Sequence, residues 1–127
     1  MDVPQKKILV VDDEKPMTRA LEIKLKLSGF DVRVAYNGEE ALKFLESEKF
    51  DLVLLDLIMP KLDGFGVLSA MKTKDIRVPV VVASNLGQEE DIARAKAMGA
   101  IDYFVKSDTS ITEIVVRVNK DINLNGQ

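Results

Sequence analysis

Five short runs of aliphatic and β-branched residues divide this chain, at residues 7–11, 32–35, 52–55, 78–83 and 103–105. Three of them are almost unbroken Val, Leu and Ile. A strand covered on both faces reads this way, whereas a half-exposed strand would alternate. The stretches between the runs carry helix punctuation. Pro16 falls where a first-turn proline is tolerated; Met17, Ala20, Leu21 and Leu25 keep roughly helical spacing; Gly29 offers a C-terminal cap. Asn37 stands three residues before Glu40, an analogue of the capping box, ahead of Ala41, Leu42 and Leu45. Asp63 can cap a helix carrying Phe65, Val67, Leu68 and Met71. Residues 88–98 carry Ile92, Ala95 and Met98, closed by Gly99, and Ile111, Ile114, Val115 and Val118 mark a last helix. Strands alternating with helices over short connections predict an α/β fold, a doubly wound (βα)5 unit around a five-stranded parallel sheet. Right-handed crossovers and five strands suit the order 2-1-3-4-5, with a ligand crevice outside the carboxyl ends of strands 1 and 3.

The polar residues at those carboxyl ends carry the chemistry. Strand 1 runs into Asp12-Asp13-Glu14, strand 3 into Asp56, strand 4 into Ser84 and strand 5 into Lys106. Strands 3 and 5 lie about 10 Å apart in that order, a gap that a lysine and an aspartate can close between them. Crowded carboxylates repel, and their pKa values rise unless a cation compensates. Lys106 and a divalent metal are the available cations. A set of hard oxygen ligands without Cys or His favours Mg²⁺ or Mn²⁺ over Zn²⁺. Such a site suits an incoming phosphoryl group, with Asp56 as nucleophile, Lys106 and the metal neutralising charge, and Ser84 donating a hydrogen bond. On its own, an Asp-Asp pair after a strand is usually a solvated loop or cap; matching residues at three other strand ends decide for a site here. Glu14 is expected to be a solvated helix start.

Composition narrows the alternatives. The 127 residues include no Cys, no His and no Trp. That excludes a disulfide framework, thiolate metal sites, Ser-His-Asp and Cys-His catalysis, and any phosphohistidine of the chain's own. A formal net charge of −3 argues against nucleic acid as a direct ligand. The first apolar run stops at two aspartates, so neither a signal peptide nor a membrane span is expected, and the chain reads as cytoplasmic. No linker, repeat or low-complexity segment interrupts it. The expectation is one domain over residues 1–127, with its core at about 7–120, frayed termini and a frayed tail at 123–127.

The ordered set Val10-Val11-Asp12-Asp13, Leu54-Leu55-Asp56-Leu57-Ile58-Met59-Pro60, Asp63-Gly64, Ser84 and Tyr103-Phe104-Val105-Lys106 resembles the receiver domain of two-component response regulators, over about residues 7–120. The resemblance implies a flavodoxin-like fold and a phosphorylation-dependent switch. It implies that Asp56 accepts a phosphoryl group from a sensor histidine kinase or a histidine phosphotransfer protein. It also implies that Asp13 binds Mg²⁺ directly and Asp12 largely through water, that the Ile58 backbone carbonyl completes the metal site, and that Ser84 and Lys106 hold the phosphoryl group. On phosphorylation Ser84 moves toward that group, Tyr103 turns inward, and the surface of helix 4, strand 5 and helix 5 changes its affinity for a downstream protein partner. The implied role is a switch, not a classical enzyme.

Three positions depart from the family pattern. Asn85 follows Ser84 where a small residue is usual, and its side chain is expected near the acyl phosphate. Ser107 follows Lys106 in place of a proline that commonly follows a cis bond. A cis bond costs about 3–4 kcal/mol without proline, so a trans bond and a differently shaped loop are expected. Ile58 offers no polar side chain to position water.

Competing readings are weaker. A haloacid-dehalogenase-type hydrolase needs a second Asp where Ile58 stands, and a cap domain. A flavin carrier needs a phosphate loop where Asp12-Asp13-Glu14 would repel phosphate. The Gly64-Phe65-Gly66 run lacks the third glycine of a dinucleotide fingerprint and does not directly follow a strand. The expectation is a stand-alone receiver, with a receiver-like scaffold that is not phosphorylated, or a piece of a larger regulator, as the alternatives.

Overall fold

The computed structural model describes residues 5–125. Its elements run β1 (Lys7–Val11), α1 (Lys15–Leu27), β2 (Asp31–Ala35), α2 (Gly38–Ser47), β3 (Leu52–Leu55), α3 (Gly64–Thr73), β4 (Val80–Ser84), α4 (Glu89–Ala97), β5 (Ala100–Val105), a 3₁₀ turn (Lys106–Asp108) and α5 (Ile111–Asn125). All strand pairs are parallel and the sheet order is β2-β1-β3-β4-β5. The doubly wound fold expected from the sequence is therefore present.

The two faces of the sheet make two cores. Val11, Val53, Leu55, Val80 and Val82 pack with Ala41, Leu45, Val67, Leu68 and Ala95 beneath α2, α3 and α4. Val10, Leu54, Val81 and Phe104 pack with Leu21, Leu25, Ile114 and Val118 beneath α1 and α5. Burial on both faces explains why β1, β3 and β4 read as continuous apolar runs. Helix ends follow the sequence signals. Asn37 Oδ1 accepts from the Glu40 amide at 2.9 Å, and Glu40 Oε1 returns to the Tyr36 amide at 2.8 Å. Gly29, at φ +98°, turns the chain out of α1 in the left-handed region.

Several boundaries differ from expectation. β4 begins at Val80 rather than residue 78, because Pro79 has no N–H for the ladder; only its carbonyl is used, accepting from Val53 N at 2.9 Å. β5 begins at Ala100 rather than Tyr103. A register shift between Val80 and Val81 leaves an extra residue in β5, which breaks the alternation that would have marked Ala100-Ile101-Asp102 as strand. The tail does not fray at Asn123: α5 continues through Asn125, while Gly126 and Gln127 lie outside the described residues, as do residues 1–4. Among the described residues no peptide bond is cis, so Lys106–Ser107 is trans as expected. No helix among them is long and apolar enough to cross a membrane.

Candidate functional site

Asp12 and Asp56 each stand one residue beyond the end of a strand, and the sheet still holds their backbones. Asp56 N donates to Val11 O at 2.9 Å, and Asp12 N donates to Ala35 O at 3.1 Å. Because Val11 pairs with Leu55, the two aspartates are the next neighbours in register. Two-residue alternation puts Asp12, Asp56 and Lys106 on the side of Val10, Leu54 and Phe104, and Ser84 and Tyr103 on the side of Val82. The sheet thus delivers the charged groups from one face and the hydroxyl groups from the other.

Lys106 reaches from the end of β5 past β4 and β3 to β1. Its Nζ lies 2.8 Å from Asp12 Oδ2, 2.6 Å from Glu14 Oε1 and 3.3 Å from Asp56 Oδ2. Asp12, Asp13 and Asp56 each present a carboxylate oxygen within 4.8 Å of the others, with Asp13 exposed and the other two buried. Beside them a cavity of about 220 Å³ is lined by Asp13, Glu14, Asp56, Ile58, Asn85 and Lys106. Ile58 sits at its rim, and its amide donates to Asp56 Oδ1 at 3.3 Å. Ser84 is fully buried; its Oγ accepts from Leu86 N at 3.3 Å. The Tyr103 hydroxyl donates to the Leu86 carbonyl, so the tyrosine is tied to the β4–α4 loop.

Burial dominates the electrostatics of the carboxylates. It pushes Asp56 above the usual carboxylate range, although the Lys106 charge, the Ile58 amide and the Ser84 hydroxyl pull the other way. Burial raises Asp12 as well, and the Asp56 charge adds to it, against the hydrogen bonds from Lys106 and the Glu14 amide. For Lys106, burial alone would depress the ammonium. Its hydrogen bonds to Asp12 and Glu14 and the charges of Asp56 and Asp12 outweigh that and raise its pKa, so it stays charged. Three carboxylates therefore share one ammonium, with the Asp13 carboxylate close to two of them. An additional hard cation fits this oxygen donor set and would relieve the two buried carboxylates.

A profile of the response regulator receiver domain matches residues 8–119. The chain belongs to that family. As a receiver domain it is 43% identical over 106 residues to a probable transcriptional regulator, ycf27, of Cyanophora paradoxa, covering 84% of this chain and 44% of the relative. It is 43% identical over 101 residues to the alkaline phosphatase synthesis transcriptional regulatory protein PhoP of Bacillus subtilis, covering 80% and 42%. The chain thus spans less than half the length of these relatives. Among solved structures, the receiver domain of the Francisella response regulator 1452 superposes with a TM-score of 0.87 at 33% identity, over 94% of this chain and 98% of that one.

Two features of this receiver were not legible in advance. Glu14 is not merely a solvated helix start. It is the N-cap of α1 without a side-chain cap bond, because its carboxylate turns to Lys106 instead. Asn85 lines the cavity as expected, but its Oδ1 is engaged outside it, accepting from Ser107 N at 3.0 Å. No spacing rule links residues 22 apart in sequence; only the β4–β5 pairing does.

Proposed function

We propose that this receiver domain is a phosphorylation-dependent switch whose acceptor is Asp56. The observation that carries the reading is the Lys106 ammonium held between Asp12 and Asp56, both carboxylates buried, beside an open cavity. Mg²⁺ or Mn²⁺ would be held by Asp12, Asp13, Asp56 and the Ile58 backbone carbonyl. When bound, it supplies positive charge against the phosphoryl oxygens. An Asp56 carboxylate oxygen attacks phosphorus. The P–N bond to a histidine of the donor breaks, and the imidazole leaves with the electron pair and takes up a proton. Lys106 neutralises charge on the phosphoryl oxygens and Ser84 donates a hydrogen bond to one of them.

The donor is a sensor histidine kinase or a histidine phosphotransfer protein, since this chain contains no histidine. The cytoplasmic placement expected from the sequence belongs to the same reading. The output is a changed surface on α4, β5 and α5 for a downstream protein partner, with Ser84 and Tyr103 as the moving groups. The hydrogen bond from Tyr103 to Leu86 supports that coupling, because it joins β5 to the loop that leads from Ser84 into α4. α4 is lightly anchored: of its side chains only Ala95 is fully buried.

Incubation with Mg²⁺ and acetyl phosphate, followed by intact mass, tests the reading. The expected gain is one phosphoryl group, absent in Asp56→Asn. No gain from acetyl phosphate or from a histidine kinase would overturn it.

A further inference from the structure

The residue after the site's hydroxyl is bonded to the residue after its lysine. Asn85 follows Ser84, Ser107 follows Lys106, and the Ser107 amide donates to Asn85 Oδ1. This bond needs an acceptor side chain at 85 and a residue other than proline at 107: a proline would have no N–H, and an alanine at 85 no acceptor. It lies just beyond the Ser84–Val105 pair, the last pair of the β4–β5 register, one residue past Ser84 and two past Val105. It therefore extends the connection between the two segments past the end of the sheet. The hydrogen bond from Tyr103 to Leu86 ties the same loop to β5 a second time, on the other side of Asn85.

We propose that Asn85 and Ser107 form a latch that fixes the spacing of the Ser84 hydroxyl and the Lys106 ammonium about Asp56, making both of them positioning residues for phosphoryl transfer. The proposal rests on the reading of Asp56 as the acceptor. The need for a latch follows from reach. Lys106 extends a long flexible side chain from β5 across to β1, so a shift of its backbone moves the ammonium relative to both carboxylates. Ser84 closes β4, and its hydroxyl is tied to the loop beyond by the Leu86 amide, so a shift of that loop moves the hydroxyl. Holding the two backbones together presets the donors where charge develops, and the cost of ordering them is met before the phosphoryl group arrives. Asp12 and Asp56 are held by the sheet ladder instead, so the latch acts on the phosphoryl-binding groups and leaves the carboxylates in place.

A double-mutant cycle in the full chain tests this. Asn85→Ala, Ser107→Pro and the double variant are compared for the rate of phosphoryl uptake from acetyl phosphate at saturating Mg²⁺. Each single variant is expected to slow uptake about two- to tenfold, the range of one hydrogen bond, and the double variant no further. Mg²⁺ affinity is expected to stay at the wild-type value. Additive slowing, no slowing, or slowing in Asn85→Ala alone with Ser107→Pro like wild type would each overturn the latch. A second measurement is independent of phosphorylation: hydrogen exchange of the Ser107 amide in the unphosphorylated protein. It is expected to be protected in wild type and several-fold faster in Asn85→Ala; equal exchange overturns the latch, including the case in which Ser107→Pro does not fold. If wild type takes up no phosphoryl group, the acceptor reading fails, and the exchange comparison still decides whether the latch exists.

Discussion

Lys106 Nζ lies 2.8 Å from Asp12 Oδ2, and both side chains are about 5% exposed. Such a pair is costly to break from one side, because the partner is left buried and charged. Here the loss would strand two carboxylates, since the same ammonium serves Asp56. Lys106→Met is expected to cost about 3 kcal/mol in metal-free buffer. Saturating Mg²⁺ should restore much of it, because a divalent ion bound near Asp12 and Asp56 replaces the missing charge. Urea melts with chelator and with Mg²⁺ check this; an equal loss in both would show that the lysine matters for packing rather than charge.

Asp56 gives the opposite sign. Its folded pKa is raised by burial above the ordinary carboxylate value. A carboxyl of that kind favours the folded state most when protonated, below its unfolded pKa. That contribution is lost as pH rises through the folded pKa. At neutral pH without metal, ionised Asp56 therefore weakens the fold. Asp56→Asn is expected to raise metal-free stability by about 1 kcal/mol, some 3–6 °C in Tm for a domain of this size. Mg²⁺ should then stabilise the variant less than wild type. Thermal scans at pH 7 decide it, and an unchanged or lower Tm would contradict the argument.

Gly64 constrains the acceptor from outside the site. A Cβ on it would fall 2.4 Å from the Asp56 carbonyl oxygen and 2.7 Å from Leu57 Cα, both backbone atoms that cannot swing away. Gly64 N also donates to Leu57 O at 3.0 Å, so the start of α3 is stitched to the chain just after Asp56. Gly64→Ala is expected to destabilise the protein by about 1–3 kcal/mol through overpacking and to slow phosphoryl uptake by displacing Asp56. Chemical denaturation and the acetyl phosphate assay measure the two effects; stability at the wild-type value would sink the idea.

The sequence disclosed the sheet and the rim for the same physical reason. β1, β3 and β4 are buried on both faces, so their apolar runs are unbroken, and each run stops at a polar residue where the strand leaves the core. Asp12, Asp56 and Ser84 are those stopping points, and Lys106 stands at the corresponding end of β5, so each is readable on its own. β5 was harder, because its extra residue near Ile101 disrupts the alternation. Glu14 is the exposed helix start its position suggests, but its further bond to Lys106 joins residues 92 apart and has no local signal. The Asn85–Ser107 bond was illegible for a related reason. Each residue could be seen as a departure from the family pattern, but their meeting depends on the loop geometry beyond the sheet.

Away from the site, Asp121 on α5 makes a pH-dependent pair with Asp102 on β5. Burial, the hydrogen bond to Asp102 and the Asp102 charge push Asp121 up to about 6, against the opposing charges of Arg117 and Lys120. Asp102 is itself held by Arg117 at 2.6 Å and by the Tyr103 amide at 2.8 Å, so it cannot easily turn away. Since the folded pKa is raised, the stabilising contribution is present in full below about pH 4 and is lost as pH rises through about 6. Asparagine at 121 can still donate to Asp102 but carries no charge. Asp121→Asn is therefore expected to be more stable than wild type at neutral pH, by about 1 kcal/mol once solvent screening is allowed for, and nearly equal to it at about pH 4. Urea melts across that pH range measure the difference. A gap between the two proteins that does not widen with pH would show that folding does not raise the pKa of Asp121.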